Sequence, residues 1–298
     1  NARMLSGELA TALTGRHIPI EILPFDFKEF LQAKNFQIDE NLAFLSQKYG
    51  ELLKLMDEYL INGGFPEVVV SNLDPKDYLE VLFDSLLFKD VVKRHKVKFA
   101  TQIGNLGSYL INNFASLYSL RKLQKALDMK SVATTEKYTK YLEEAYLVFS
   151  LLRYSPKSIQ RIKSPKKIYV VDNGFLSAKA IQHSPDKGKL MENLVFIELV
   201  KRGLKPNVGI FYYKTRNDRE IDFVIKKGIE IVELIQVCYE TAIPETEKRE
   251  IKALIEAGGE LRVKNLTILT WDKNKEMEKD GKTIKFKRLW EWLLGSQI

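Results

Sequence analysis

Apolar residues recur at helical spacing through the first half of the chain and gather into strand-like runs in the last third. Met4, Leu5, Leu9, Ala12 and Leu13 share one face of a helix expected over residues 4–14, with Gly15 as its stop. A short extended run over 18–23 ends at Pro24. Phe25, Phe27, Phe30 and Leu31 then predict a second helix, and Leu52, Leu53, Leu55, Met56, Tyr59 and Leu60 a third. Asn62-Gly63-Gly64, with Pro66 beyond it, reads as a break. Residues 76–97 carry Tyr78, Leu79, Leu82, Leu86 and Leu87 at helical spacing. That helix ends in a charged cluster, Lys89 to Lys98, which a solvated helix terminus accounts for.

Three shorter helices are predicted over 102–112, 119–127 and 133–145, with Ser131 as N-cap of the last. Apolar β-type runs follow over 147–152 and 167–171. Three helices and a two-stranded wing describe a winged helix-turn-helix. Beyond 172 the pattern mixes types: a helix over 189–202, strands over 210–214, 221–226 and 229–239, a helix over 245–256, a strand over 266–271 and a Trp-rich helix over 289–294. The expected fold class is multidomain α+β, ending in an α/β unit.

Composition narrows the setting. Net charge is +8 with a pI near 9.2, which suits a polyanionic partner such as double-stranded DNA; lysine–glutamate ion-pair networks are the alternative source of such a balance. Cys238 is the one cysteine, so no internal disulfide forms, and no apolar run reaches about 18 residues. The expectation is a cytoplasmic protein with no membrane partner. A chain opening at Asn1 rather than methionine suggests a trimmed or partial product.

Two sets of residues carry candidate chemistry. In the winged-helix reading, Thr134, Thr135, Lys137 and Lys140 lie on the outer face of the third helix, near the bases. Arg153, Lys157, Arg161, Lys163, Lys166 and Lys167 line the wing loop, with no acidic residue between 153 and 167, and would hold phosphates. Interdomain packing is the other use of such a unit.

The second set is Glu192 on a helix, Asp222 in Glu220-Ile221-Asp222-Phe223, and Gln236 and Cys238 on a later strand. Their layout resembles the restriction-endonuclease-like fold. That resemblance implies a divalent metal at Asp222 and Glu192, with Gln236 at the second acidic position and Cys238 where a catalytic lysine belongs. A thiol supplies no permanent charge, so the expectation is a retained fold without hydrolysis, with Lys214 a possible spatial substitute. Cys238 reads equally as a buried small hydrophobe. His17, His95 and His183 are scattered, and Asp172-Asn173-Gly174 reads as a turn.

The segments NARMLSGELATALTGRHIPIEILPFDFKEFL, YLINGGFPEVV, LFKDVVKRHKV, YTKYLEEAYLVFSLLRYS, KKIYVVDNGF, KLMENLVFIEL, REIDFVI and ELIQVCY together resemble archaeal and bacterial AAA-superfamily ATPases that carry a C-terminal domain of nuclease-like fold. The resemblance implies a parent protein using ATP and Mg, with nucleotide contacts at Asn1, a sensor position, and Arg16. No glycine-rich lysine loop occurs in the sequence, so the phosphate-cradling segments are expected upstream. The implied organisation is an ATPase-core remnant and lid over 1–60, a helical connector over 61–98, a winged helix over 99–171 and a nuclease-like domain over 172–298. Three functions compete: a DNA-associated ATPase part, an active metal nuclease, and an assembly module that forms a homo-oligomer or binds another protein.

Overall fold

A computed structural model describes residues 20–38, 46–71, 73–179, 186–239 and 244–295. The predicted helix over 4–14, both nucleotide candidates Asn1 and Arg16, and His17 and His183 lie outside the described residues.

Helix α1 (Phe27–Ala33) starts at a reciprocal cap. Asp26 accepts from Glu29 N at 2.8 Å, and Glu29 accepts from Asp26 N at 2.8 Å. Its Phe27 and Phe30 pack on Tyr59 of α2 (Ser46–Asn62), with ring centroids 5.4 and 5.0 Å apart. After α3 (Pro66–Val70), α4 (Pro75–Ser85) runs directly into a π-helix over Leu86–Lys93. The sequence predicts one continuous helix here. The buried residues Leu79, Phe83, Leu87 and Val91 explain the change of winding. Steps of four overshoot the turn of an α-helix, so the stripe drifts around it; wider turns bring the stripe back to the core.

The second group contains α5 (Ala100–Asn112), strand β1 (Ser116–Tyr118), α6 (Leu120–Ala126), α7 (Val132–Glu144), β2 (Val148–Leu151), α8 (Ser158–Lys163) and β3 (Lys166–Val170). Ser119 and Ser131 cap α6 and α7 by accepting from Lys122 N and Thr134 N. The strands form an antiparallel sheet in the order β1-β3-β2. Strand β1 and helix α8 are too short to show a period in the sequence, where both fall in expected loops.

The third group begins with α9 (Asn173–Lys179) and α10 (Lys187–Lys201), followed by β4 (Ile210–Lys214), β5 (Glu220–Lys227), β6 (Glu230–Cys238), α11 (Pro244–Glu260), β7 (Leu266–Thr270), β8 (Lys275–Lys279), β9 (Lys282–Arg288) and α12 (Leu289–Leu294). The sheet order is β4-β5-β6-β7-β9-β8. Strands β4, β5 and β6 form an antiparallel meander; α11 then crosses over to bring β7 parallel to β6. The sequence reading omits the β8–β9 hairpin. Its turn is Asp280-Gly281, both with positive φ (52° and 68°), a conformation that favours this residue pair in tight hairpins. Among the described residues no helix is long and apolar enough to cross a membrane.

Polar and apolar contacts cross between the groups. Tyr154 N donates to Tyr212 O at 2.6 Å and Tyr212 N to Leu152 O at 3.2 Å, joining the small sheet to the large one. One hydrophobic core extends from Phe27 to Leu293, and a second, smaller one lies between the large sheet and α11.

Asp172 is buried and accepts from Gly64 N and Gly174 N, each at 2.8 Å, so the segment read as a turn is instead an internal latch opening α9. Gly63 sits at φ +75°, and a Cβ there would lie 1.6 Å from Asp172 Oδ1, which is why glycine occupies the break. Asn173 donates to Leu60 O at 2.8 Å and Leu190 O at 3.0 Å, tying α2 to α10 through the same corner.

Burial pushes the Asp172 carboxyl up to about 6, against the two N–H groups and Lys201. This lies above the unfolded value of about 4, so the folded state binds the proton more tightly and stability falls as pH rises between the two. We expect Asp172→Asn to remove this slope: its stability deficit relative to the parent should be larger at pH 4.5 than at pH 7 by about 2 kcal/mol. Urea unfolding of both proteins at the two pH values measures it, and equal deficits would count against the latch.

Candidate functional site

Lys167 lies on β3, whose residues 167–170 are all buried. Its side chain is only 2% exposed, and the ammonium meets Glu192 Oε1 at 2.7 Å, Glu220 Oε1 at 2.6 Å and Asp222 Oδ1 at 3.0 Å. Each partner is placed by regular structure. Glu192 projects from α10, while Glu220 and Asp222, two residues apart on β5, point to one face. Tyr169, two residues beyond Lys167, donates its hydroxyl to Glu192 Oε1 at 2.6 Å.

Strand β6 and α11 close the other side. Asp222 Oδ2 accepts from Val237 N at 3.0 Å, and Asp222 N donates to Gln236 Oε1 at 3.2 Å. Gln236 donates in turn to Glu250 Oε2 at 2.6 Å, and Arg249 Nη2 reaches Glu250 Oε1 at 2.8 Å. These groups line a cleft of about 550 Å³, with Lys189, Arg219 and Arg249 among its walls.

The charge balance follows from burial. Desolvation alone would lower the Lys167 ammonium, but Glu192, Tyr169, Asp222 and Glu220 outweigh it and hold it well above the usual lysine range. One ammonium does not neutralise the surrounding carboxylates. Burial, with repulsion from Asp222, pushes Glu192 up to about 8 despite Lys167. Burial also raises Glu250.

Glu192, Asp222 and Gln236 thus come together. Cys238 is buried in the core beside α11, where burial pushes its thiol up to about 11, so it offers no charge at neutral pH. Lys214 pairs with Asp218 at 3.0 Å and does not enter the cluster; Lys167 does. Glu220, Glu250 and Tyr169 were not singled out from sequence. Glu220 was visible as the residue two positions before Asp222 on one strand face, whereas the approach of Glu250 depends on how α11 packs. For a divalent cation the set fits poorly. Such ions need several free hard oxygens, and here Lys167 engages an oxygen of each of Glu192, Glu220 and Asp222. Among the described residues no group of three or more His, Cys, Asp or Glu side chains is arranged to hold a metal.

The wing set divides. Lys167, expected in an exposed loop, is buried because β3 is the central strand of its sheet and is covered on both faces from 167 to 170, while Lys166 at its start is half-exposed. Thr135, expected on the outer face of α7, is buried and bonds Ser131 O at 3.0 Å; Thr134 belongs to the cap. Lys137 and Lys140 are exposed, the former 5.6 Å from the Tyr141 ring centroid, on which His95 stacks at 3.6 Å. Arg153 reaches Lys214 O at 2.7 Å. Lys157 and Lys163 are exposed and Arg161 contacts Ser158 at 3.1 Å, on or beside helix α8 rather than in a loop.

Replacing Lys167 by methionine would strand the carboxylates and should lower stability by about 3–5 kcal/mol. Adding Glu220→Gln and Asp222→Asn to Lys167→Met should recover most of that loss. Denaturant unfolding of the variants measures both, and a Lys167→Met protein as stable as the parent would remove the cluster from the fold's energetics.

Residues 53–186 match a domain of unknown function, DUF8612, and residues 187–289 another, DUF4143. The uncharacterized protein MJ1544 of Methanocaldococcus jannaschii is 36% identical over 307 residues, covering 99% of this chain and 67% of that protein. An uncharacterized protein of Haemophilus influenzae is 35% identical over 250 residues, covering 82% of this chain and 58% of that protein. No solved structure matches. The chain therefore spans about two thirds or less of the relatives it matches. At this identity and coverage, a buried lysine–carboxylate cluster and a glycine–aspartate latch are features of a chain that belongs to the family of MJ1544.

Proposed function

We propose that this chain is the C-terminal part of an AAA-type ATP-binding protein that contacts duplex DNA through the unit α5–β3, and that its terminal α/β unit is a non-hydrolysing phosphodiesterase scaffold. The ATPase relationship rests on the sequence resemblance. The order α5, α6, α7 followed by the β2–β3 pair supports the winged-helix reading, and helix α10 before a three-stranded meander and a parallel crossover supports the nuclease-like one.

The observation that carries the non-hydrolysing assignment is the Lys167 ammonium among Glu192, Glu220 and Asp222. It supplies internally the positive charge that those carboxylates would otherwise take from solvent, and it engages their oxygens. A metal nuclease is the competing reading. It is favoured by the same cleft, which brings Glu250 beside Gln236 and Lys167 beside Asp222, so that the acid missing at position 236 and the ammonium missing at position 238 of β6 are present in space.

Fluorescence anisotropy with a labelled duplex tests the DNA assignment. Binding should weaken with rising salt, with a log–log slope of about 0.9 for each phosphate contact. Lys137→Ala with Lys140→Ala should reduce both affinity and slope. No affinity at low salt would favour the assembly reading, to be followed by measuring the oligomeric state. In parallel, plasmid nicking should be absent with magnesium or manganese; nicking that disappears in Asp222→Ala would establish the nuclease instead.

A further inference from the structure

Helix α8 buries none of its side chains. It is held in place by its flanks instead. Ser155 Oγ donates to Gln160 Oε1 at 2.8 Å and accepts from Lys157 N at 3.2 Å, while the Tyr212 hydroxyl donates to Pro165 O. Tyr154 on the entering side is joined to β4 through its backbone. The chain thus fixes both ends of a short helix whose own side chains have no place in the core.

Ile159 and Ile162, 67% and 75% exposed, stand on that helix at a spacing that puts both on one side. Lys157 and Lys163 are exposed at its ends and Arg161 is half-exposed between them. No acidic residue occurs from 153 to 167. Two bulky apolar side chains framed by cations, on a rigidly mounted support, match the chemistry of proteins that insert apolar wedges between base steps while their cations hold the flanking phosphates.

We propose that α8 is a duplex-DNA contact in which Ile159 and Ile162 enter the minor groove and unstack a base step, with Lys157, Arg161 and Lys163 on the adjacent phosphates. This rests on the DNA-binding reading and adds to it a mode of contact: the DNA is deformed, and α8 rather than α7 deforms it. A second copy presenting its own α8 is a poor occupant because Lys157, Arg161 and Lys163 of the two copies would face like charges. An anionic membrane is a poorer one because a helix of six residues with two isoleucines offers little area to insert.

The test uses the full chain with a 20-base-pair duplex carrying a dye at each end, read by anisotropy for affinity and by energy transfer for bending. Ile159→Ser with Ile162→Ser should lower affinity about tenfold and abolish the bend, while leaving the salt slope unchanged. Lys157→Ala with Lys163→Ala should reduce the slope by about 2. Unchanged affinity and bend in the isoleucine variant, with the parent still binding, would overturn the wedge and leave the DNA reading standing. A parent with no duplex affinity would overturn both. Isoleucine-dependent binding to phosphatidylserine vesicles without any DNA bending would assign α8 to a membrane surface and overturn the wedge. Circular dichroism of each variant confirms folding, which is expected because none of the replaced side chains is buried.

Discussion

A buried ammonium is tolerable only where carboxylates surround it, and that constraint organises the centre of this molecule. Lys167 leaves water to meet Glu192, Glu220 and Asp222 within 3.0 Å. The desolvation cost is large and is offset only by close pairing with good geometry. The cluster therefore fixes three elements relative to one another: β3 of the small sheet, β5 of the large sheet and α10. The hydrogen bonds between Tyr154, Leu152 and Tyr212 join the same two sheets along their edges. The unit built around the small sheet and the α/β unit built around the large one consequently hold one another in register.

A second polar corner does the same for the helical segment. Asp172 draws the backbone of Gly64 and Gly174 together, and Asn173 and Asn193 bond to each other at 2.8 Å beneath it. Only glycine fits at the break because any side chain at position 63 would collide with the carboxylate. Lys201 adds a bond to Phe25 O at 2.7 Å. Two glycine-containing segments more than a hundred residues apart are thus one structural feature. Both corners place charged groups in the interior and satisfy them there, so they specify which surfaces meet more than they add to stability.

Neighbouring residues of β3 have opposite fates. Lys167 pairs with carboxyl groups inside the protein, whereas Lys166 leads back towards the exposed cations of α8. The exposed cations of α8 and the acidic cleft are therefore connected through one strand.

Much of the order of elements was legible from the chain alone. The aromatic stripe of α1, the Ser131 cap of α7 and the strand carrying Asp222 depend on periods of 3.6 or 2 and on contacts a few residues long, which a sequence displays directly. The nearness of Glu192, Asp222 and Gln236 was expected as well, from the resemblance of that stretch to the restriction-endonuclease-like fold. The rest depended on packing. The sequence offers Lys167 and Lys163 as similar cations in one basic stretch, and Asp172 as a polar turn residue. Only the tertiary structure buried Lys167 against three carboxylates, exposed the isoleucines of α8 and brought Glu250 to Gln236. The physical reason is that the state of a charged side chain is set by what faces it across the fold, and those partners come from 14 to more than 100 positions away.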